Sequence, residues 1–241
     1  GFGLGYGVRD NYQQQSDSIA IFTNNTWRVT DQFDITLGLR YTRDKKTLDG
    51  VQTNEGTTGA ACAAAIGNQA AIAGVVGAAT APRIIGNICL PWANPLYDNR
   101  VIDESTSEGE LSGTVKASYR LNPSLMVYGS YARGYKSFGY NMDRVQSGIT
   151  PVASLLFPSE TVDSYELGFK ATLFNRAVLF NATYFDQTFN DFQLNTFLGT
   201  AFVVESIPEL TSRGVDADFM WFTPVEGLTL GGGLTYTDTK Y

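Results

Sequence analysis

Asp216 and Asp218, one residue apart in "GVDADFMWF", come nearest to a metal-binding pair in this chain. On an extended strand both carboxylates point to the same side, which puts two hard oxygen donors together. The polar face of any strand has the same arrangement. Acid–base and nucleophilic chemistry have less to work with. The 241 residues include no histidine, so no Ser-His-Asp or Cys-His set can be assembled. No motif places a carboxylate pair in a cleft, and no enzyme activity is expected. "GFGLGYG" at residues 1–7 repeats glycine at every second place and leads into no helical pattern, unlike a phosphate-binding loop. "YARGYKSFGYN", residues 131–141, mixes aromatic rings with Arg133 and Lys136. Its Lys136, Phe138, Tyr140 and Asn141 form a candidate contact set for a small-molecule ligand.

The two cysteines, Cys62 and Cys89, lie in one Ala/Gly-rich stretch with no other sulfur or imidazole nearby. Two thiolates alone make a poor metal site. A disulfide closing one loop fits better and implies an oxidising compartment, with two unpaired thiols as the alternative. Closing a loop of that length stabilises by about 3–4 kcal/mol in the chain-entropy picture. No cofactor is expected.

The elements that carry these residues are strands. "SYELGFKATLFNRAVLFNATYFD", residues 164–186, sets Tyr165, Leu167, Phe169, Ala171 and Leu173 against Ser164, Glu166, Gly168, Lys170 and Thr172. It then turns at "FNRA" and alternates again. "FDITLGLRYTRDK", "LSGTVKASYRL", "GVDADFMWF" and "LTLGGGLTYTD" repeat the pattern, a period of two that belongs to strands with one apolar face. Eight strands are predicted, near 17–29, 33–46, 109–121, 124–137, 161–175, 177–190, 211–222 and 228–241. They pair into four hairpins whose tight ends are "VTDQ", "LNPS", "FNRA" and "TPVEG". The other connections, 47–108, 138–160 and 191–210, are predicted to be long loops. The Ala-rich part of the first can form a short helix or serve as a variable surface loop.

Short turns at one end and long loops at the other are the habit of an outer-membrane β-barrel. There the apolar face meets lipid, and the polar face, with Arg40, Lys116, Arg120, Glu166, Lys170, Asp216 and Asp218, meets the interior. A closed sheet can cross lipid because its backbone groups pair within the sheet. A soluble sheet that turns its polar face to water shows the same alternation. Composition narrows the choice. Charged residues make up 17% of the chain, below the quarter or so usual in soluble domains. No unbroken apolar run reaches the roughly 20 residues of a membrane helix. The net charge of −7 and the lack of a basic patch argue against a nucleic-acid partner. The start of the chain has no signal-peptide pattern and no Met, which suggests processed protein or a piece of a longer one. In this frame "YARGYKSFGYN" lies where a strand leaves the membrane. A girdle of aromatics explains most of it, and its distal residues would line an outer vestibule.

"TDQFDITLGLRYTRDKK", "LMVYGSYARGYKSFGYN", "FPSETVDSYELGFKATLFNRAVLFNATYFDQTFNDFQ" and "SRGVDADFMWFTPVEGLTLGGGLTYTD" cover about half the chain. In this order they resemble the TonB-dependent outer-membrane receptors of Gram-negative bacteria. The resemblance implies an all-β, antiparallel transmembrane barrel of 22 strands, of which this chain would supply about eight as a mid-barrel segment. It further implies an N-terminal plug carrying the box that the TonB energy-coupling complex pulls, and a scarce extracellular ligand: ferric siderophore, haem, cobalamin, a metal or an oligosaccharide. Neither the plug nor the closing strands match anything here, so ligand contacts made by the plug cannot be assigned. The alternative is a complete small outer-membrane barrel with a structural or adhesive role.

Overall fold

The computed structural model describes residues 7–56 and 59–241; residues 1–6 of the "GFGLGYG" stretch lie outside it. The elements in order are β1 (Gly7–Arg28), β2 (Phe33–Glu55), α1 (Ala60–Gly67), α2 (Gln69–Val76), α3 (Ala81–Ile88), a 3₁₀ turn (Pro95–Tyr97), β3 (Arg100–Asn122) and β4 (Leu125–Lys136). Then follow β5 (Gly139–Tyr140), β6 (Gln146–Ser147), β7 (Thr150–Pro151), β8 (Leu156–Phe157), β9 (Glu160–Leu173), β10 (Val178–Phe197), β11 (Phe202–Phe222) and β12 (Thr229–Lys240). Eight of the strands form one sheet in the order β1-β2-β3-β4-β9-β10-β11-β12. Every pair is antiparallel. Among the described residues, β1 and β12 are the sheet's two edges.

Among the described residues, nothing packs over the apolar face. Leu37 is 37% exposed, Leu167 67% and Phe219 44%. Phe169 and Phe180 meet across the β9–β10 pair with ring centroids 5.7 Å apart. The buried apolar clusters lie elsewhere. One joins Leu48, Ile102, Tyr140 and Leu155, and the other surrounds Cys62, Ala65, Ile85 and Cys89. Such a face is stable against hydrocarbon and unstable against water.

Its height fits a bilayer. On β2 the apolar positions run from Phe33 to Tyr41. Eight steps cover about 27 Å of strand, or about 21 Å of height at a tilt of about 40°, close to the roughly 25 Å band of an outer-membrane barrel. Five strands end this band the same way, with a tyrosine and then a charge two residues further out: Tyr41/Arg43, Tyr131/Arg133, Tyr165/Asp163, Tyr184/Asp186 and Tyr236/Asp238. The phenols sit where the aromatic girdle of a membrane barrel would belong, and the charges lie just beyond the apolar band. Arg133 and Asp163 pair at 3.0 Å there, and the Tyr131 hydroxyl donates to Asp163 at 2.6 Å. At the opposite end, Phe33 and Tyr119 bring their rings to 6.5 Å.

Ala182 stands in the middle of the β10 band, in register with Phe169 and Ala217. Ala182→Arg is expected to cost about 2–4 kcal/mol in a bilayer. Asn181→Arg, one residue away on the polar face beside the Asp218 carboxylate, is expected to be nearly neutral. Guanidinium unfolding in lipid vesicles compares the two. At Gly214 a Cβ would stand 2.0 Å from the Tyr236 carbonyl oxygen and 2.9 Å from the Phe185 ring. Gly214→Ala should therefore cost about 1–3 kcal/mol. Gly231→Ala, where the nearest atom is 3.5 Å away, is the control in the same assay.

The strands run further outward than the alternation indicates. Residues 47–55 and 100–108, which the sequence pattern places in a loop, continue β2 and β3. Residues 7–16 likewise extend β1. The predicted loop 191–210 is mostly strand, and only residues 198–201 separate β10 from β11. Asp191, at φ 53°, interrupts the ladder opposite Pro208, which has no N–H to give; Asn190↔Glu209 and Phe192↔Ile207 pair on either side in unchanged register. The first connection carries three helices, where the sequence allowed for one.

Candidate functional site

β4 and β9 have 12 and 14 residues, against 20–23 in the strands from β1 to β3 and in β10 and β11. Two tall ribbons therefore flank a low stretch of sheet. The segment 137–159 joining β4 to β9 crosses this gap and is fastened to both sides.

On the β1–β3 side it rests on the polar, interior face. Tyr140 and Leu155 pack on Leu48 and Ile102. The Tyr140 hydroxyl reaches the Lys46 carbonyl at 3.1 Å and the Thr106 hydroxyl at 2.9 Å. The Lys46 ammonium lies 5.1 Å from the Phe138 ring and donates to the Phe138 carbonyl. Ser159 donates to the Glu108 carboxylate. Lys46, Leu48, Ile102, Thr106 and Glu108 all fall on the face that carries Arg40 and Lys116, since side chains alternate and these residues are linked by register. The segment thus folds inward as a strap over the mouth.

Arg144 is the strongest fastening. Its guanidinium pairs with Asp10 and donates to Asn54 Oδ1 at 2.7 Å, the Thr53 carbonyl at 2.9 Å and the Pro91 carbonyl at 3.3 Å. It also lies 5.1 Å from the Tyr97 ring centroid. On the β10–β11 side, Asn141 donates to the Val204 carbonyl at 3.2 Å and accepts from the Val204 N–H at 2.7 Å. Asp143 accepts from the Phe202 N–H at 3.0 Å.

The helical insert between β2 and β3 leans on the same strap. Cys62 and Cys89 are bonded and tie α1 to the end of α3. Asn94, fully buried, donates to the Ile149 carbonyl at 2.7 Å. The Tyr97 hydroxyl donates to the Val145 carbonyl at 2.7 Å. Burial pushes the Tyr97 phenol up to about 12, against the opposing pull of Arg100 and Arg144.

Below the strap the interior face is a polar lattice. The Lys116 ammonium lies 4.5 Å from the Tyr128 ring centroid, and the Tyr128 and Thr183 hydroxyls are 2.8 Å apart. Tyr128 lies flat because Gly168 beneath it has no side chain; a Cβ there would be 2.7 Å from the ring. Asp216 accepts from Thr235 and Asp218 from Asn181. This separates the two carboxylates into pairs with neutral partners, and no cluster of three or more metal-ligating residues occurs among the described residues.

The four sequence-derived contact residues fall in different settings. Lys136 is exposed at the outer end of β4, opposite Glu160. Asn141 is half-buried and engaged by β11. Phe138 and Tyr140 are buried, at 0% and 6% exposure, beneath their own strap. The sequence reading did not single out Arg144, Asp10, Asn94 or Tyr97.

The whole chain, residues 1–241, matches the family described as TonB dependent receptor-like, beta-barrel. The pesticin receptor of Yersinia pestis is 25% identical over 215 residues, which is 87% of this chain and 24% of that receptor. The crystal structure of the ferric yersiniabactin uptake receptor FyuA from Yersinia pestis superposes with a TM-score of 0.64 at 19% identity, covering 97% of this chain and 28% of that one. The closed form of the ferric-catecholate import receptor Fiu from E. coli K12 gives 0.61 at 18% identity, over 95% and 29%. The chain therefore spans about a quarter of the length of the curated relatives it matches.

Proposed function

Because the chain belongs to the TonB-dependent receptor β-barrel family, we propose that it forms part of the barrel wall and outer mouth of a receptor that takes up a scarce extracellular nutrient. The observation that carries this reading is the contrast between the two faces. One is oily and bare over a bilayer's height, and the other is polar and roofed by a strap at its outer end. A wall of this kind sits in the outer membrane of a Gram-negative bacterium, with lipid against the apolar face. The interior face would line the space around a plug domain, through which the TonB complex supplies energy. The ligand belongs to the class of ferric siderophores, haem, cobalamin or oligosaccharides, with ferric siderophores favoured by what the relatives are named for. Lys136, exposed at the outer end of β4, makes a direct ligand contact. Phe138, Tyr140 and Asn141 hold the strap beside it.

Uptake by a strain lacking the gene tests this, using a panel of ⁵⁵Fe-loaded siderophores and haem, labelled cobalamin and labelled oligosaccharides. At least one substrate is expected to lose energy-dependent uptake on deletion and to regain it on complementation, but not in a strain that also lacks the coupling complex. Uptake of the whole panel unchanged by deletion contradicts the reading.

A further inference from the structure

Between the disulfide-tied insert and the tip of the strap lies a recess of about 390 Å³, within the range of about 300–1,000 Å³ usual for small-molecule sites. Ala73, Ala81, Pro82 and Ile85 form one wall and Ile149 the other, and none of the ten lining residues is charged.

The two walls are tied to each other beside the recess. Behind the first, Ile85 and Cys89 belong to a closed cluster at 3% and 0% exposure, and the Cys62–Cys89 bond ties α1 to α3. The second is held by Asn94, which donates to the Ile149 carbonyl, and by Gln146, which donates to the Cys89 carbonyl at 2.9 Å. Ile149 also packs on the cluster behind the first wall, so these ties set the spacing of the walls, and the small side chains at 73 and 81 are too short to fill the gap that remains. Atoms facing such a gap forgo dispersion contacts that an occupant would supply. A charged occupant would lose hydration and gain no counter-charge.

We propose that this recess binds an uncharged apolar group, a single aromatic ring or a short alkyl chain, carried by a small molecule arriving from outside the cell. It is separate from the polar interior face and depends on the insert and the strap together.

The test is an anomalous-scattering soak of crystals of the intact receptor with 4-bromobenzyl alcohol. A bromine peak is expected in the recess. 4-Bromobenzoate, the same ring with a carboxylate, is expected to show at least tenfold lower occupancy at equal concentration. Ala73→Trp, which fills the recess from α2, should abolish the peak. Ala78→Trp, which fills it from an exposed turn outside the helices, should do the same and guards against a folding defect in α2. No peak in the recess, equal occupancy by the benzoate, or a peak that survives both substitutions overturns the proposal. The soak involves no transport, so its outcome is independent of the uptake experiment.

Discussion

Arg144→Ala is expected to release the strap at a cost of about 3–5 kcal/mol while leaving the eight-stranded sheet in place. Arg144 keeps only 5% of its side chain exposed, and its partner Asp10 keeps 21%. Removing the guanidinium strands the Asp10 carboxylate and unpairs the Thr53 and Pro91 carbonyls, which have little access to water. It also takes away the cation over Tyr97. The sheet does not depend on these contacts, because its own ladder satisfies its backbone. Amide hydrogen exchange reads the effect locally. The amides of Asn141, Val152 and Leu155, all paired in the strap or to its supports, should exchange about a hundredfold faster or more. Those of β9 and β10 should not change. Arg144→Lys should fail to restore protection, since one ammonium cannot serve a carboxylate, an amide and two carbonyls at once. Unchanged protection in Arg144→Ala would mean that the strap is held by its other contacts without Arg144.

The double substitution Cys62→Ser with Cys89→Ser has the next largest expected effect, about 3–4 kcal/mol on the helical insert. Each of its three helices has eight residues and no side-chain cap at its N-terminus. Helices that short are marginal in isolation, and no acidic residue supports a first turn. Among the described residues, only Cys62, Ala65, Ala81, Ile85 and Cys89 in or next to these helices bury an apolar side chain, so little packing would replace the bond. The expected result is at least tenfold faster proteolysis within residues 60–90 and no change in heat-dependent gel mobility of the barrel. Equal proteolysis rates with and without the bond would show that the insert is held by Asn94 and Tyr97 instead.

The sequence is explicit where the solvent is. From Phe33 to Tyr41, an apolar face on one side and a polar face on the other impose alternation, and the strand can be read residue by residue. Beyond Arg43 both faces can be polar and the signal stops, although the backbone continues to pair, Thr47 with Gln15 and Glu55 with Gly7. Loss of pattern therefore looks like loss of structure, and the outer ribbons read as loops. The disulfide is legible because the chain has only two cysteines. The strap is not: Arg144 and Asp10 are 134 residues apart, and no local spacing announces their meeting. Phe138 and Tyr140 illustrate a related ambiguity. An aromatic residue at a strand exit has the same sequence signature whether its ring faces a ligand or packs under its own loop. Here Leu48 and Ile102, far away along the chain, decide it.

The central claim is that hydrocarbon lies against the apolar face. Nitroxide labels placed one at a time from 178 to 186 on the intact receptor in liposomes test it most directly. Oxygen, which concentrates in lipid, should collide several-fold more often with labels at 178, 180, 182 and 184 than with those at 179, 181 and 183. A flat profile, or even-numbered labels shielded from oxygen and from a water-soluble quencher alike, would mean that protein covers this face, which would contradict the account.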